Sequence, residues 1–201
     1  MVDAKLGGDV LARLARSVQH WEQQGCQFVS LPWLAPAPYL AATKPDFVTA
    51  ADIGTPHGFL LASGEQAFLM LQAEQRLPAG EQFIGWTPCF RDEAVFDQSH
   101  HFYFMKAEVF ELATPDSATD KLANMLTRAR AFFMSELCLA GAPASARVEV
   151  EYLGPAQQDL LLMGLEVGSY GIRQFNGQTY VYGTACAEPR FSLALERALS
   201  D

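Results

Sequence analysis

Between Asp9 and Gln24 apolar residues recur at Val10, Leu11, Leu14, Val18 and Trp21. This 3.6-residue period predicts an amphipathic helix. Asp9 suits its N-cap and Gly25 its stop, because glycine enters the left-handed conformation that ends helices. Cys26 to Leu31 reads as a strand cut by Pro32, which cannot donate to a sheet ladder. Residues 32–57 carry Pro32, Pro36, Pro38, Pro45 and Pro56 and predict a long irregular connection. Phe59–Leu61 predicts a strand and Gly64–Arg76 a helix. Phe83–Arg91 and Phe102–Leu112 predict the two strands of a hairpin, joined by the polar stretch Asp92–His100. Pro115 or Asp116 opens a helix to about Leu139. Val148–Leu153, Leu160–Val167 and Gly177–Gly183 predict three more strands. A last helix runs from about Glu188 to Leu199, with Pro189 in its first turn. The pattern is an α+β fold with a mainly antiparallel sheet flanked by helices, and residues 1–201 read as one domain.

Composition narrows the class. Half of the 201 residues are hydrophobic and 18% are charged, the balance of a packed domain rather than a disordered chain. No apolar run approaches the roughly 20 residues that span a bilayer. The opening residues interrupt their apolar positions with charge, unlike a secretory signal, so a cytoplasmic protein with no membrane partner is expected. The formal net charge is −9 without any basic block, which weighs against a tight grip on nucleic-acid phosphates. Cys26, Cys89, Cys138 and Cys186 form no C-x-x-C pair and read as small apolar residues rather than metal ligands or disulfides.

The chemistry concentrates in Phe90-Arg91-Asp92-Glu93, a short loop, and His100-x-x-x-Phe104-x-x-x-Glu108. Side chains alternate faces along a strand. Arg91 and Glu93 therefore share one face, as do His100, Phe102, Phe104, Lys106 and Glu108 on the partner strand. A guanidinium clamps phosphate and a ring offers a stacking face for a base, so the set suits a nucleotide. Residue by residue, a surface ion-pair ladder over an aromatic row gives the same letters. Glu166 stands in the apolar run LLLMGLEV, where a carboxylate needs a partner or a function.

Here the chain resembles the class II aminoacyl-tRNA synthetases. Phe90-Arg91-Asp92-Glu93 with His100, Phe104 and Glu108 is similar to their motif 2, and the stretch Trp86–Glu93 is especially similar to the seryl enzyme's version. Gly25-Cys26-Gln27-Phe28-Val29-Ser30-Leu31-Pro32 resembles motif 1. Gly183-Thr184-Ala185-Cys186-Ala187-Glu188-Pro189-Arg190 resembles motif 3, G-x-G-x-G-x-x-R, with alanine in place of two glycines. Asp159 to Arg173 resembles the D-x6-E-x6-R segment of aspartyl and asparaginyl synthetases. Ser63-Gly64-Glu65 stands where seryl- and threonyl-type enzymes carry a T-x-E loop, although an N-cap serine followed by first-turn acid gives the same letters.

The resemblance implies an ATP site and an amino-acid site. Arg91 and Arg190 would be catalytic. Arg91 would hold the α-phosphate and the amino-acid carboxylate, Glu93 the adenine edge, and Phe104 the adenine face. His100 would reach the terminal phosphates, and Arg190 would sandwich adenine or neutralise the γ-phosphate. Asp159 and Glu166 would hold Mg²⁺. Ser63 and Glu65 would take the substrate ammonium, and Arg173 would pair with an acidic substrate side chain. The 9–34 helix–strand unit would form a homodimer. The implied reaction is attack of an amino-acid carboxylate on ATP, with transfer to a tRNA, a carrier protein or a small acceptor. Two alternatives stand beside it: an asparagine-synthetase-like ligase, and a non-catalytic paralogue that senses an amino acid or regulates a partner.

Overall fold

The computed structural model describes residues 8–44, 51–92 and 96–200. Helix α1 (Gly8–Glu22) turns Val10, Leu14 and Trp21 into the core. It ends with Gly25 N donating to Glu22 O and Cys26 N to Trp21 O, both at 3.0 Å. Gly25 has φ of 92°, the left-handed corner that this paired ending requires. The strand expected after it is short: β1 (Gln27–Phe28) runs parallel to β5 (Gln82–Phe90).

The proline-rich stretch is more regular than its composition suggests. It holds β2 (Leu34–Ala35), α2 (Ala37–Thr43) and β3 (Gly54–Thr55). Pro36 caps α2 and Pro38 sits in its first turn, where a fixed φ and a missing N–H do no harm. These prolines start a helix instead of interrupting one. With β4 (Gly58–Leu60) the two short strands form a three-stranded sheet in the order β2-β4-β3. Helix α3 (Gly64–Ala73) follows and stops short of the expected Arg76, where Gln75 turns to a φ of 58°.

The main sheet also contains β6 (Tyr103–Ala113), β7 (Val148–Gly154), β8 (Gln157–Leu162), β9 (Leu165–Phe175) and β10 (Gln178–Glu188). Its order is β1-β5-β6-β10-β9-β8-β7, and every pair except β1–β5 is antiparallel. Helix α4 (Pro115–Leu139) follows β6 as expected, and α5 (Arg190–Ser200) closes the chain. One expectation needs correction. Leu160–Val167 is two strands, because the chain reverses at Met163-Gly164 with φ of 50° and 71°. Asn176-Gly177 repeats the device at 49° and 76°. Both are two-residue hairpin turns with positive φ at each central residue.

Helices α1, α4 and α5 pack on one face of the sheet around the larger apolar cluster. On the other face α3 packs around Phe68, Phe83, Phe110 and Tyr180, with Phe68 and Tyr180 each stacked 5.2 Å from Phe110. Beside α3 on this face the sheet is left open. The cavity described next lies there.

Candidate active site

A cavity of about 580 Å³ lies between the open sheet face, the N-terminus of α3 and the segment 97–101. That is an ordinary size for a small-molecule site. The chain is acidic overall, yet Lys44, Arg91, Lys106, Arg173 and Arg190 all line this cavity, with His100 and His101. A concentration of cations in one concave site favours an anionic ligand.

The sheet register builds the floor. On β6 Phe104 and Lys106 line the cavity, and Glu108, next on the same face because alternate residues share one, is buried against Ser63. Glu108 pairs across the sheet with Thr184 of β10, and Ser169 N of β9 donates to Thr184 Oγ1 at 3.3 Å. Asp159 of β8 stands opposite Ser169. Glu108, Thr184, Ser169 and Asp159 thus form one row across four strands.

At the β5–β6 end, the Arg91 guanidinium lies 5.0 Å from the centre of the Phe104 ring, and Arg91 Nε donates to Ala62 O at 3.2 Å. His100 faces the cavity from a turn fastened by Asp97. The Asp97 carboxylate accepts from Ser99 N at 2.7 Å, Ser99 Oγ at 2.9 Å and His100 N at 2.8 Å. Those backbone and hydroxyl bonds hold the carboxyl of Asp97 well below its ordinary range. Arg190 enters from the first turn of α5, donating to Glu166 at 3.2 Å and to Ser99 O at 3.4 Å. Arg91, His100, Phe104 and Arg190 are therefore brought together. Glu93 lies outside the described residues. Phe102, expected on the same face, points away from it. Its exposed ring meets Phe90 and Phe96 edge-on.

The substrate residues meet one another. Ser63 stands at the N-cap position of α3, and its hydroxyl donates to Glu108 at 2.6 Å. Gly64 N and Lys106 Nζ also donate to this buried carboxylate, Lys106 at 2.8 Å. Arg173 and Glu65, expected as separate binding groups, are partners. Arg173 Nη1 bonds both Glu65 oxygens at 2.9 and 2.7 Å, and Tyr180 Oη donates to Glu65 at 2.8 Å. Burial pushes the carboxyl of Glu65 up, while Arg173 and Tyr180 pull it back down. Lys106, Glu108, Ser169, Thr184 and Tyr182 carry the site without an assigned role in the sequence reading. Alternation along β6 had placed the first two; the other three depended on a strand register that short apolar runs do not reveal.

The acidic residues suit a hard cation held mainly by its nucleotide. Glu166 lines the cavity. Asp159 lies deeper, 8% exposed, with its Oδ1 unpartnered. Burial pushes the carboxyl of Asp159 up, with the Ser169 hydroxyl opposing. No three acidic, histidine or cysteine groups converge as a metal cage among the described residues. Mg²⁺ is normally held this way, by one or two carboxylates plus phosphates. None of the cysteines lines the cavity: Cys26, Cys89 and Cys186 are buried and Cys138 is exposed elsewhere, and burial pushes the Cys89 thiol up to about 11.

The motif 3 alanines are not strained. The described non-glycine residues with positive φ are Gln75, Met163 and Asn176, so Ala185 and Ala187 occupy conformations open to any residue.

No known protein family's sequence profile matches the chain, and no curated protein sequence matches it. Solved structures do. Seryl-tRNA synthetase of Pyrococcus horikoshii, complexed with ATP, superposes with a TM-score of 0.69 at 17% identity over 92% of this chain. The cytoplasmic serine-tRNA ligase of Naegleria fowleri, in complex with AMP, gives 0.70 at 16% identity over 96%. This chain spans 49% and 50% of those two proteins. A pyrrolysyl-tRNA synthetase from Desulfitobacterium hafniense gives 0.66 at 18% identity, covering 94% of this chain and 70% of that one. The sheet order, the helix layers and these superpositions agree: the fold is that of a class II aminoacyl-tRNA synthetase catalytic core.

Proposed function

We propose that the protein activates the carboxylate of an amino acid with ATP, forming an aminoacyl adenylate and pyrophosphate. One observation carries this reading. Arg91, His100 and Phe104 of the β5–β6 hairpin and Arg190 at the start of α5, some ninety positions later, converge on one cavity. In the reaction a carboxylate oxygen bonds to the α-phosphorus as the bond to the β-phosphate oxygen breaks and pyrophosphate leaves. The carboxylate is already ionised, so no general base is needed. Catalysis then rests on positioning and charge neutralisation. Arg91 holds the α-phosphate and carboxylate, Phe104 faces adenine, and His100 and Arg190 meet the outer phosphates. Glu166 and the unpartnered oxygen of Asp159 are the groups that would hold Mg²⁺, which when bound would supply further neutralisation of the phosphate charge. Glu93 is assigned the adenine edge by resemblance. Ser63, Glu65 and Arg173 belong to the amino-acid half, where Ser63 and the Glu108 carboxylate that it bonds would meet the ammonium.

The unstrained alanines at 185 and 187 favour an active site over a non-catalytic regulator. The activated acyl group passes to a tRNA, a carrier protein or a small nucleophile, in the cytoplasm, from a single domain over residues 1–201. The 9–34 unit forms a homodimer contact, and the support is three large apolar side chains left exposed on it, Leu11, Phe28 and Trp33. A dimer in solution that Trp33→Glu dissociates would establish that contact. The deciding experiment for the activity is amino-acid-dependent ATP–pyrophosphate exchange with Mg²⁺ against all twenty amino acids. Exchange with one of them establishes adenylation. No exchange, together with no ATP binding by calorimetry, rejects it.

A further inference from the structure

Tyr182 leans across β9 at Gly171, where a side-chain carbon would stand 2.6 Å from the tyrosine oxygen. Only glycine leaves room for that ring. The Arg173 guanidinium lies on the ring, 4.4 Å from its centre, and is held from above by Glu65 at the start of α3. Tyr180 completes the contact with its hydroxyl on Glu65. Ring, guanidinium and carboxylate thus bridge the sheet to the helix as one continuous stack. Glu65 is 4% exposed and Tyr182 8%.

This stack stands one alternation along β10 from the row of Glu108, Thr184 and Ser169. Two residues of strand span only about 7 Å. A substrate with its carboxylate at Arg91 and its nitrogen near Glu108 and Ser63 directs its side chain toward Tyr182. The Tyr182 ring, with the Arg173 guanidinium on it, walls that end of the cavity. The wall is also charge-matched. An acidic side chain competing for Arg173 Nη1 would have to displace Glu65, which would strand a buried carboxylate without its cation.

We infer that Tyr182 is a specificity-determining residue and that the substrate is an amino acid with a small, uncharged side chain, of the size of glycine, alanine or serine. The inference rests on the adenylation reading and narrows it. It also replaces the acidic substrate implied by Arg173 in sequence.

The test is ATP–pyrophosphate exchange with all twenty amino acids for the wild type and for Tyr182→Ala, with Tyr182→Leu as the milder shortening if the first does not fold. The wild type should use only the small neutral set. The variants should gain exchange with a larger apolar residue by about tenfold or more in kcat/KM, the effect of adding roughly one or two methylenes of room. Wild-type exchange strongest with aspartate, leucine or phenylalanine overturns the inference while leaving adenylation in place. So does a folded variant with an unchanged spectrum. Absence of exchange with every amino acid, with ATP binding also absent, instead removes the adenylation reading beneath it.

Discussion

Arg13 on α1 donates to the fully buried carboxylate of Glu188, two residues before Arg190. The other Glu188 oxygen accepts from Ser192 N at 3.0 Å and Ser192 Oγ at 2.8 Å. Arg13 also reaches Ser192 Oγ at 2.8 Å and Glu136 at 3.5 Å, and lies over the Phe191 ring. Helix α1 therefore fixes the corner where β10 becomes α5, from which Arg190 enters the cavity. In the proposed assembly α1 is also part of the dimer contact, so the same side chain would link that face to the proposed ATP site.

Arg13→Met leaves Glu188 buried without its cation, a loss that typically costs about 3–5 kcal/mol of stability. If Arg13 acts on ATP through the corner, the folded variant should also bind ATP about tenfold more weakly, roughly 1.4 kcal/mol. Calorimetry on Arg13→Met, Arg190→Ala and the double variant separates this from general loosening. With Arg190 gone, Arg13→Met should change ATP affinity no further. Additive effects would mean that Arg13 serves stability alone.

Arg91 is expected to be the most sensitive single position for the chemistry. It emerges from the end of β5 beside the Phe104 ring, and its Nε is anchored on Ala62 O. Removing a pre-organised charge at a developing transition state typically costs about 10²-fold or more. Arg91→Ala should lower the exchange rate by that order while melting close to the wild type. An undiminished rate would exclude Arg91 from the mechanism.

The Asp97 contribution to the turn that carries His100 should be lost only on the acid side. The Asp97 carboxyl is held below its ordinary 3.8 by hydrogen bonds to Ser99 and His100. A carboxylate depressed in the folded state stabilises it fully above the unfolded value and loses that contribution as pH falls toward the folded one. The hydrogen bonds that the Asp97 carboxylate accepts should contribute fully above about pH 4 and weaken only below it. Asp97→Asn should weaken ATP binding at neutral pH, with AMP binding nearly unchanged, if His100 meets the outer phosphates as proposed. Equal losses for ATP and AMP would place His100 elsewhere.

How much of this could be read from the chain depended on whether a signal was local. Helix α4 was legible at both ends, because Pro115 and a 3.6-residue pattern are properties of neighbouring residues. Arg91, Phe104 and His100 were legible as one group for the same reason: a single hairpin carries them. The β8–β9 hairpin was missed because eight largely apolar residues read as one buried strand, and Met163 gives no warning that it adopts positive φ. The pairing of Arg173 with Glu65 spans 108 positions. No local pattern reports such a contact, and each residue alone looked like a ligand group. Tyr182 was passed over because an aromatic in an apolar strand is ordinarily core, and only its neighbour Gly171 shows why it leans into the cavity.

The glycine pattern of motif 3 offers a final prediction, because its three positions play different physical parts here. Gly183 is a packing requirement: a side-chain carbon there would stand 2.3 Å from Cδ1 of Tyr170 and 2.8 Å from Sδ of Met125. Gly183→Ala should therefore destabilise the protein by about 1–3 kcal/mol through overpacking. Ala185 and Ala187 have no positive φ to relieve, and Ala185 is fully buried among apolar neighbours. Restoring glycine should lower stability by about 0.5–1 kcal/mol at Ala187, inside the strand ladder, and by less at Ala185, the extra residue where the β10 register shifts. ATP affinity should stay within a factor of about two, since the alanine backbones carry no strain for glycine to relieve. Thermal melting and ATP titration of Gly183→Ala and of the Ala185→Gly, Ala187→Gly double variant check all of this. A large gain in ATP affinity for the double variant would show that the alanine methyls obstruct the nucleotide, and would return weight to a chain that has lost catalysis.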